Sequence, residues 1–421
     1  MSKSTKRRGA PPRDSQKRAA GRPIARGRPA SVPRIGLPAD EGELNAFADL
    51  GSIAFGGAPD RMRRWISALG PQIARVYRRR GEVAGGLLLL PMGQWFGGRC
   101  VPMTGVAMVC VALQHRAGGI GAELMRAGLR ETRAHGVPVS ALYAATLPLY
   151  RRVGYEAAGG RYEITLPTAA IGLRDRAMAL RPATPADTPA LDEAHRRRVA
   201  HENGPLEPSI PEWRRTRVVG SDLNPPPPRT YAVWNGRRAE GYIRYPMKRD
   251  DRTMRIIDLV AATPRAGRRL LTFLADHRST VETAVWFGAP ADPILLLLPE
   301  HSYRVRLADP WLLRVVDVPR ALEARGYPET VRASVSLRVE DELFPANRGP
   351  FVLEVAGGAA KVRRASRAGA RIDIRGLAAL YSGHLTAAQL AMTDYLEATP
   401  AEVAALQAIF TGPTPWMSDA F

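Results

Sequence analysis

Val106–Met125, VAMVCVALQHRAGGIGAELM, decides how the rest of the chain is read. Its first eight residues are an apolar, strand-like run; beyond them the apolar residues recur at helical spacing, and between the two stands Arg116-Ala117-Gly118-Gly119-Ile120-Gly121. Where a strand turns straight into a helix, unsatisfied backbone N–H groups and the positive helix end point outward together, which makes an anion site. Glycines there let a ligand approach the main chain, because a Cβ would stand in the way. Glycines at such a junction also serve plain turns, so the pattern R-x-x-G-x-G has to be read with its surroundings.

Upstream, Asp40-Glu41-Gly42-Glu43 reads as a helix N-cap with Glu43 reaching back. Leu44, Phe47, Leu50 and Ala54 continue it at helical spacing. RWISAL is a second short helix, and ARVYRR, EVAGGLLLLPM and VAMVCVAL are strands, the last two parted by the Gly-Gly of WFGGRC. Downstream, the helix that opens at the glycines ends at His135-Gly136 with Pro138 just beyond, and SALYAA is the next strand. These elements describe an α/β unit with a partly parallel sheet that closes near ITLPTAA. ALRPATPADTPAL opens a second unit of similar logic, whose helix TPRAGRRLLTFLADHR has no glycine-rich entry. From about Leu322, strand-like VRASVSLRVE, PFVLEVAGG and ARIDIRG mix with helices in LAALYSG, TAAQLAM and TPAEVAALQAIF, a third unit.

A chain of 421 residues fits two or three domains, and three is the reading. The longest apolar runs, GGLLLLPM and PILLLLPE, are strand-length, far short of the roughly 20 residues that span a bilayer. The basic first residues lead into no apolar region, so a cytoplasmic protein is expected. Cys100 and Cys110 make no disulfide framework, and the scattered histidines show no metal-ligand spacing, so no metal is expected. Of the net charge of +21, close to half lies in the first 38 residues, where Lys and Arg alternate with Pro, Gly and Ala. Residues 1–34 are expected to be a disordered basic arm, able to touch a polyanion such as tRNA although solvation is the commoner fate. The other end is unusual too: WMSDAF closes the chain on an aromatic residue, Phe421.

Strand, R-x-x-G-x-G, helix, strand and then Y-x-x-x-G-Y in Leu142–Glu156, LYAATLPLYRRVGYE, together resemble the core of the GNAT acyltransferases. That resemblance implies acetyl-CoA as donor, its pyrophosphate on residues 116–121 and its pantetheine arm on the exposed backbone of Val109, Cys110 and Val111. It also makes Tyr150 the acid that protonates the departing thiolate; Tyr155 reads as a core aromatic. With DPWLLRVVDVPRALEARGY, LAALYSGHLTAAQLA and the terminal aromatic added, nearly everything after the arm resembles the Eis (enhanced intracellular survival) family. The implied fold is α/β (α+β): two tandem GNAT-like domains followed by a sterol-carrier-protein-like α+β domain. The expected limits are 35–172 for the acetyltransferase domain, 173–318 for a second GNAT-like domain without a donor site, and 319–421 for the third. The resemblance further implies a homo-hexamer, a small-molecule amine acceptor of aminoglycoside or other natural-product type, and the carboxylate of Phe421 as general base.

Departures from the family pattern bear on donor and acceptor. The donor loop reads H-R-A-G-G where several arginines are usual, leaving Arg116 and the backbone of Ala117, Gly118, Gly119, Ile120 and Gly121. Acidic substrate residues are expected after the Ala-Phe of the first helix and before the final Phe; here Gly57 and Ala420 stand there, with Asp60 and Asp419 the nearest carboxylates. Trp65 is either an aromatic wall of the acceptor site or core. Three function classes remain: an acetyl-CoA-dependent N-acetyltransferase acting through a ternary complex, an acyltransferase drawing on aminoacyl-tRNA or a carrier-bound acyl group, and a non-catalytic binder of an apolar ligand.

Overall fold

Four consecutive leucines, Leu87 to Leu90, sort themselves by the two-residue period of a strand. In the computed structural model, Leu87 and Leu89 face the helix Ile120–Ala134, while Leu88 and Leu90 face Phe47 and Ile66 of the two N-terminal helices, Glu41–Phe55 and Pro59–Leu69. Both faces of the strand Glu82–Phe96 are therefore covered, which is why it reads as a continuous apolar run. Gly97 and Gly98, at φ of 58° and 84°, turn it into the antiparallel strand Arg99–Val111. The structure describes residues 34–421 other than 209, 211–227, 247–250 and 368. Residues 1–33 of the expected basic arm and most of the NPPPP stretch lie outside those described.

The large sheet has nine strands in the order Ile35–Gly36, Ala74–Arg79, Glu82–Phe96, Arg99–Val111, Val139–Tyr143, Arg304–Val315, Glu156–Pro167, Thr283–Gly288, Thr253–Arg255. Strand Arg304–Val315 thus sits between two strands of the first unit, pairing Leu313 with Ala141 on one side and Leu312 with Ala157 on the other. The ranges expected for the first and second domains both feed this one sheet. A four-stranded sheet (Asp258–Ala261, Arg238–Tyr245, Arg229–Asn235, Ala179–Pro182) carries the remainder of the middle region, covered by the helix Pro264–Asp276. PILLLLPE makes no strand: Pro293–Leu297 is a 3-10 turn, capped by Asp292, that leaves Leu296 in solvent.

The last region is a five-stranded sheet with the helices Ile374–Ser382 and Pro400–Ile409 packed on it. The motif RVVDVP makes its junction with the first unit. Arg314, fully buried, donates to both carboxylate oxygens of Asp341 at 2.7 and 2.8 Å, and Asp341 also accepts from Asn347 at 2.8 Å. Asp317 caps the helix Val318–Ala324 and pairs with Arg133 at 3.3 Å. Each polar residue of the motif is committed to a partner that apolar surroundings would make costly to lose.

Candidate active site

Strands Arg99–Val111 and Val139–Tyr143 run parallel, but their pairing covers Met103–Gly105 against Val139–Ala141 and then stops. Beyond Gly105 the two strands part. Met108 takes a left-handed φ of 51°, and the register against the neighbouring strand slips there, between Leu88/Ala107 and Gly86/Cys110. This is a β-bulge, which bends a strand and re-aims the residues beyond it. The bulged segment, the aromatic end of Val139–Tyr143, the helix Leu147–Arg151 and the two N-terminal helices enclose a cleft of about 320 Å³.

Tyr150 and Phe421, far apart in sequence, both line that cleft, as do Val109 and Trp65. Tyr150 lies on the short helix and is buried to within 5 % of full coverage; its ring meets Tyr155 edge-on at 6.2 Å. Burial pushes its phenol up to about 12, and its hydroxyl has no protein hydrogen-bond partner among the described residues. Tyr155 is core: fully buried, it shares a hydrogen bond of 2.7 Å with Ser140 Oγ. Cys110 is buried as well, its thiol pushed up to about 12 by desolvation, so it is held as an unreactive thiol.

The glycine loop occupies the strand's far end. After a 3-10 turn at Leu113–His115, Arg116, Ala117, Gly118 and Gly119 are all exposed, with Ala117 and Gly119 left-handed at φ of 62° and 83°. Gly119 is the N-cap of Ile120–Ala134, and no side chain caps that helix. A Cβ on Gly119 would meet nothing within 4 Å. The conformation and the open space together leave the helix N-terminus open to solvent, three residues after the exposed Arg116. Ile120 turns into the core and Gly121 packs near Leu149, so those two shape the loop from below.

Phe421 reaches the cleft because the segment before it, from Pro415 to Asp419, is held by a series of hydrogen bonds and passes close over Gly159 and Gly204. Pro415 and Met417 bond the backbone of Gly160 (3.2 and 3.1 Å), and Trp416 N–H donates to the carbonyl of Asn203 at 3.0 Å. A Cβ at Gly159 would lie 2.7 Å from the Pro415 oxygen, and one at Gly204 2.4 Å from that of Trp416. Arg161 donates to the Ser418 carbonyl at 3.1 Å and Tyr143 to that of Asp419 at 2.7 Å. The Phe421 ring then stands edge-on to Tyr143 at 5.7 Å, in a notch where a Cβ on Gly105 would come within 2.9 Å of it.

Of the expected substrate residues, Trp65 lines the cleft, half-buried against the core at the same time. Asp60 does not; its carboxylate is largely exposed and paired with Arg63 at 3.2 Å. Asp419 receives Tyr143 on its carbonyl and Ser418 on its carboxylate, and Ala420 is exposed. Tyr143, Gly105, Met108 and Asn203 carry no sequence signal of a role; a glycine inside an apolar strand was the nearest thing to one.

Comparison with known proteins fits this arrangement. Residues 37–158 and 204–315 each match an acetyltransferase (GNAT) domain model, and residues 318–418 a sterol carrier protein domain model. An uncharacterized N-acetyltransferase of Streptomyces griseus is 30% identical over 358 residues, 77% of this chain and 83% of its own. The N-acetyltransferase Eis of Mycobacterium tuberculosis is 29% identical over 367 residues, 79% of this chain and 84% of its own. Among solved structures, a GCN5-related N-acetyltransferase from Anabaena variabilis superposes with a TM-score of 0.86 at 33% identity, over 92% of this chain and all of its own. Eis1 from Mycobacterium abscessus gives 0.75 at 25% identity, over 92% and 100%.

Proposed function

The chain belongs to the Eis family of GNAT N-acetyltransferases, and on that footing we propose that it transfers the acetyl group of acetyl-CoA to an amine of a small molecule within the cleft between Tyr150 and Phe421. The observation that carries this reading is the meeting of three features at one cleft: a strand pair that parts beyond Gly105, a buried phenol, and the end of the chain. The pyrophosphate would lie on the bare helix N-terminus at Gly119, with Arg116 beside it. The pantetheine arm would pair with the backbone at Val109 to Val111, where an N–H group would polarise the thioester carbonyl.

The amine nitrogen attacks the carbonyl carbon and yields its proton to the Phe421 carboxylate. Collapse of the intermediate then breaks the C–S bond, and the Tyr150 hydroxyl protonates the sulfur. A phenol ordinarily sits above a thiol by about 1.5 pKa units, which would make that step uphill. Burial raises the Tyr150 phenol to about 12, and the same desolvation disfavours a thiolate in the cleft. Proton transfer from Tyr150 is then concerted with C–S cleavage, as the sulfur gains charge in desolvated surroundings. Against a purely apolar-ligand role, the roomiest cavity bordering the last region, about 820 Å³, is lined by charged side chains, among them Arg338, Glu340, Arg348 and Arg375.

Release of free thiol from acetyl-CoA in the presence of primary amines tests the reading. Thiol and N-acetyl product should appear in equal amounts, and appending one alanine after Phe421 should lower turnover at least 100-fold with an unchanged melting temperature. Thiol release that ignores the amine, or an undiminished extended chain, would contradict it.

A further inference from the structure

We infer that Glu202 and Asn203 of the middle region are positioning residues for the chain end: they hold Trp416, and through it they set where the Phe421 carboxylate stands. This rests on reading that carboxylate as the base in the cleft, and it gives a task to a region whose own helix junction is capped. A chain end frays unless something ties it down. Here Trp416 and Met417 are buried, Ser418, Asp419 and Phe421 are half-buried, and Ala420 is exposed. The tail is therefore gripped before it enters the cleft, and Trp416 is where side chains of the middle region meet it.

The grip is made of directed bonds. Trp416 backbone N–H donates to the Asn203 carbonyl at 3.0 Å, and its indole N–H donates to Glu202 Oε2 at 3.1 Å. Asn203 Nδ2 donates to the Pro413 carbonyl at 3.3 Å, and the Arg198 guanidinium stands 5.6 Å from the Trp416 ring. Glu202 is itself fixed. Its Oε1 accepts from Arg198, which reaches on to Asp292 at 3.3 Å, and all three side chains are largely buried. Two donors thus converge on one carboxylate, one at each oxygen. A glutamine there would offer a single acceptor to both.

The other side of the same segment is stitched to the acetyltransferase domain. Gly204 N–H donates to the Trp95 carbonyl at 2.7 Å, Trp95 N–H to that of Pro205 at 2.9 Å, and Glu207 N–H to that of Gly93 at 2.8 Å. Gln94 Nε2 donates to the Gly204 carbonyl at 2.8 Å, and the Trp95 indole to Glu207 at 3.1 Å, repeating the bond that Trp416 makes. Residues 202–207 therefore join the tail to strand Glu82–Phe96, the partner of the bulged strand. Bulge and chain end share one frame. Such registration matters, because a displacement of about 1 Å can cost about 100-fold in rate.

Carboxypeptidase A, which removes a C-terminal aromatic residue within its reach, reads the tail of the full chain without any acetyl transfer. Trp416→Phe keeps a ring in the slot and leaves Arg198 paired with Glu202, while Glu202→Gln breaks the same indole bond from its other end. Each should release phenylalanine at least tenfold faster than wild type, and the double variant no faster than Trp416→Phe, since both changes remove one bond. In thiol-release kinetics each single variant should lose at least tenfold in kcat with KM for acetyl-CoA within twofold. Wild-type release of phenylalanine in both single variants, or additive effects in the double variant, would overturn the inference. Faster release with kcat unchanged would uphold the grip on the tail and overturn the reading of Phe421 as base.

Discussion

Two strand-to-helix junctions occupy like positions in the first and middle regions, and they treat the helix N-terminus in opposite ways. At Gly119 no side chain caps the helix, the N-cap is left-handed, and the space beside it is open. At Thr263 the hydroxyl oxygen accepts from Ala266 N–H at 3.3 Å, Pro264 brings no N–H at all, and the same hydroxyl donates to Glu240 at 2.8 Å. Burial works against that carboxylate, but hydrogen bonds from Asn235 and Thr263 hold its pKa below the usual range, so a negative charge already stands at the positive helix end. Glycine differs in kind as well: a Cβ on Gly267 would meet Leu297 at 2.6 Å, so that glycine serves packing, not access. The nearby Arg198 is bound to Glu202 and Asp292. One fold element thus ends in an uncapped, open helix N-terminus in one copy and in a self-satisfied cap in the other.

The comparison yields graded expectations. Largest is Tyr150→Phe, beside the open junction: turnover should fall roughly 10²- to 10⁴-fold, the range for losing a positioned proton donor, with melting unchanged because the hydroxyl supports no other group. Next is pH dependence. A phenol raised to about 12 stays protonated through the alkaline range, so kcat/KM should climb as the acceptor amine loses its proton and show no descending limb up to pH 10. Arg116→Ala removes one exposed cation from the open junction and should raise KM for acetyl-CoA about fivefold, an effect of about 1 kcal/mol that high salt erases. Thr263→Ala should change donor affinity less than twofold and cost about 1 kcal/mol of stability, the usual loss for an N-cap.

Much of this was readable in advance where the chemistry is local. The glycine loop, the N-cap at Asp40 and the Gly97-Gly98 turn depend on residues a few positions apart, and Asp40 does accept from Glu43 N–H at 2.9 Å. The resemblance carried Tyr150 and Phe421 to one cleft, where sequence spacing alone could not. What stayed hidden is long-range. No local pattern in Arg304–Val315 says that it lies between Val139–Tyr143 and Glu156–Pro167, because any apolar strand of that length suits the slot. Tyr143 looked like an ordinary strand aromatic; its bond to the Asp419 carbonyl spans 276 positions. PILLLLPE misled through its leucines, since proline at the first position and the Asp292 cap favour a tight turn over a ladder. Asp60 and Asp419 were the nearest acids in the sequence, yet Arg63 and Ser418 hold them.

The central claim is that this chain binds one acetyl-CoA, at the first junction and not at the second. Calorimetric titration of acetyl-CoA into the wild type and Gly119→Asp tests it most directly. Aspartate is among the few residues that enter the left-handed region, and it sets a carboxylate at the uncapped helix end, where it would repel a phosphate. One site per chain, weakened roughly 10- to 100-fold in Gly119→Asp while the chain stays folded, is the predicted result, from about 1.5–3 kcal/mol of charge-assisted hydrogen bonding. Two sites per chain, or binding that Gly119→Asp leaves intact, would contradict it.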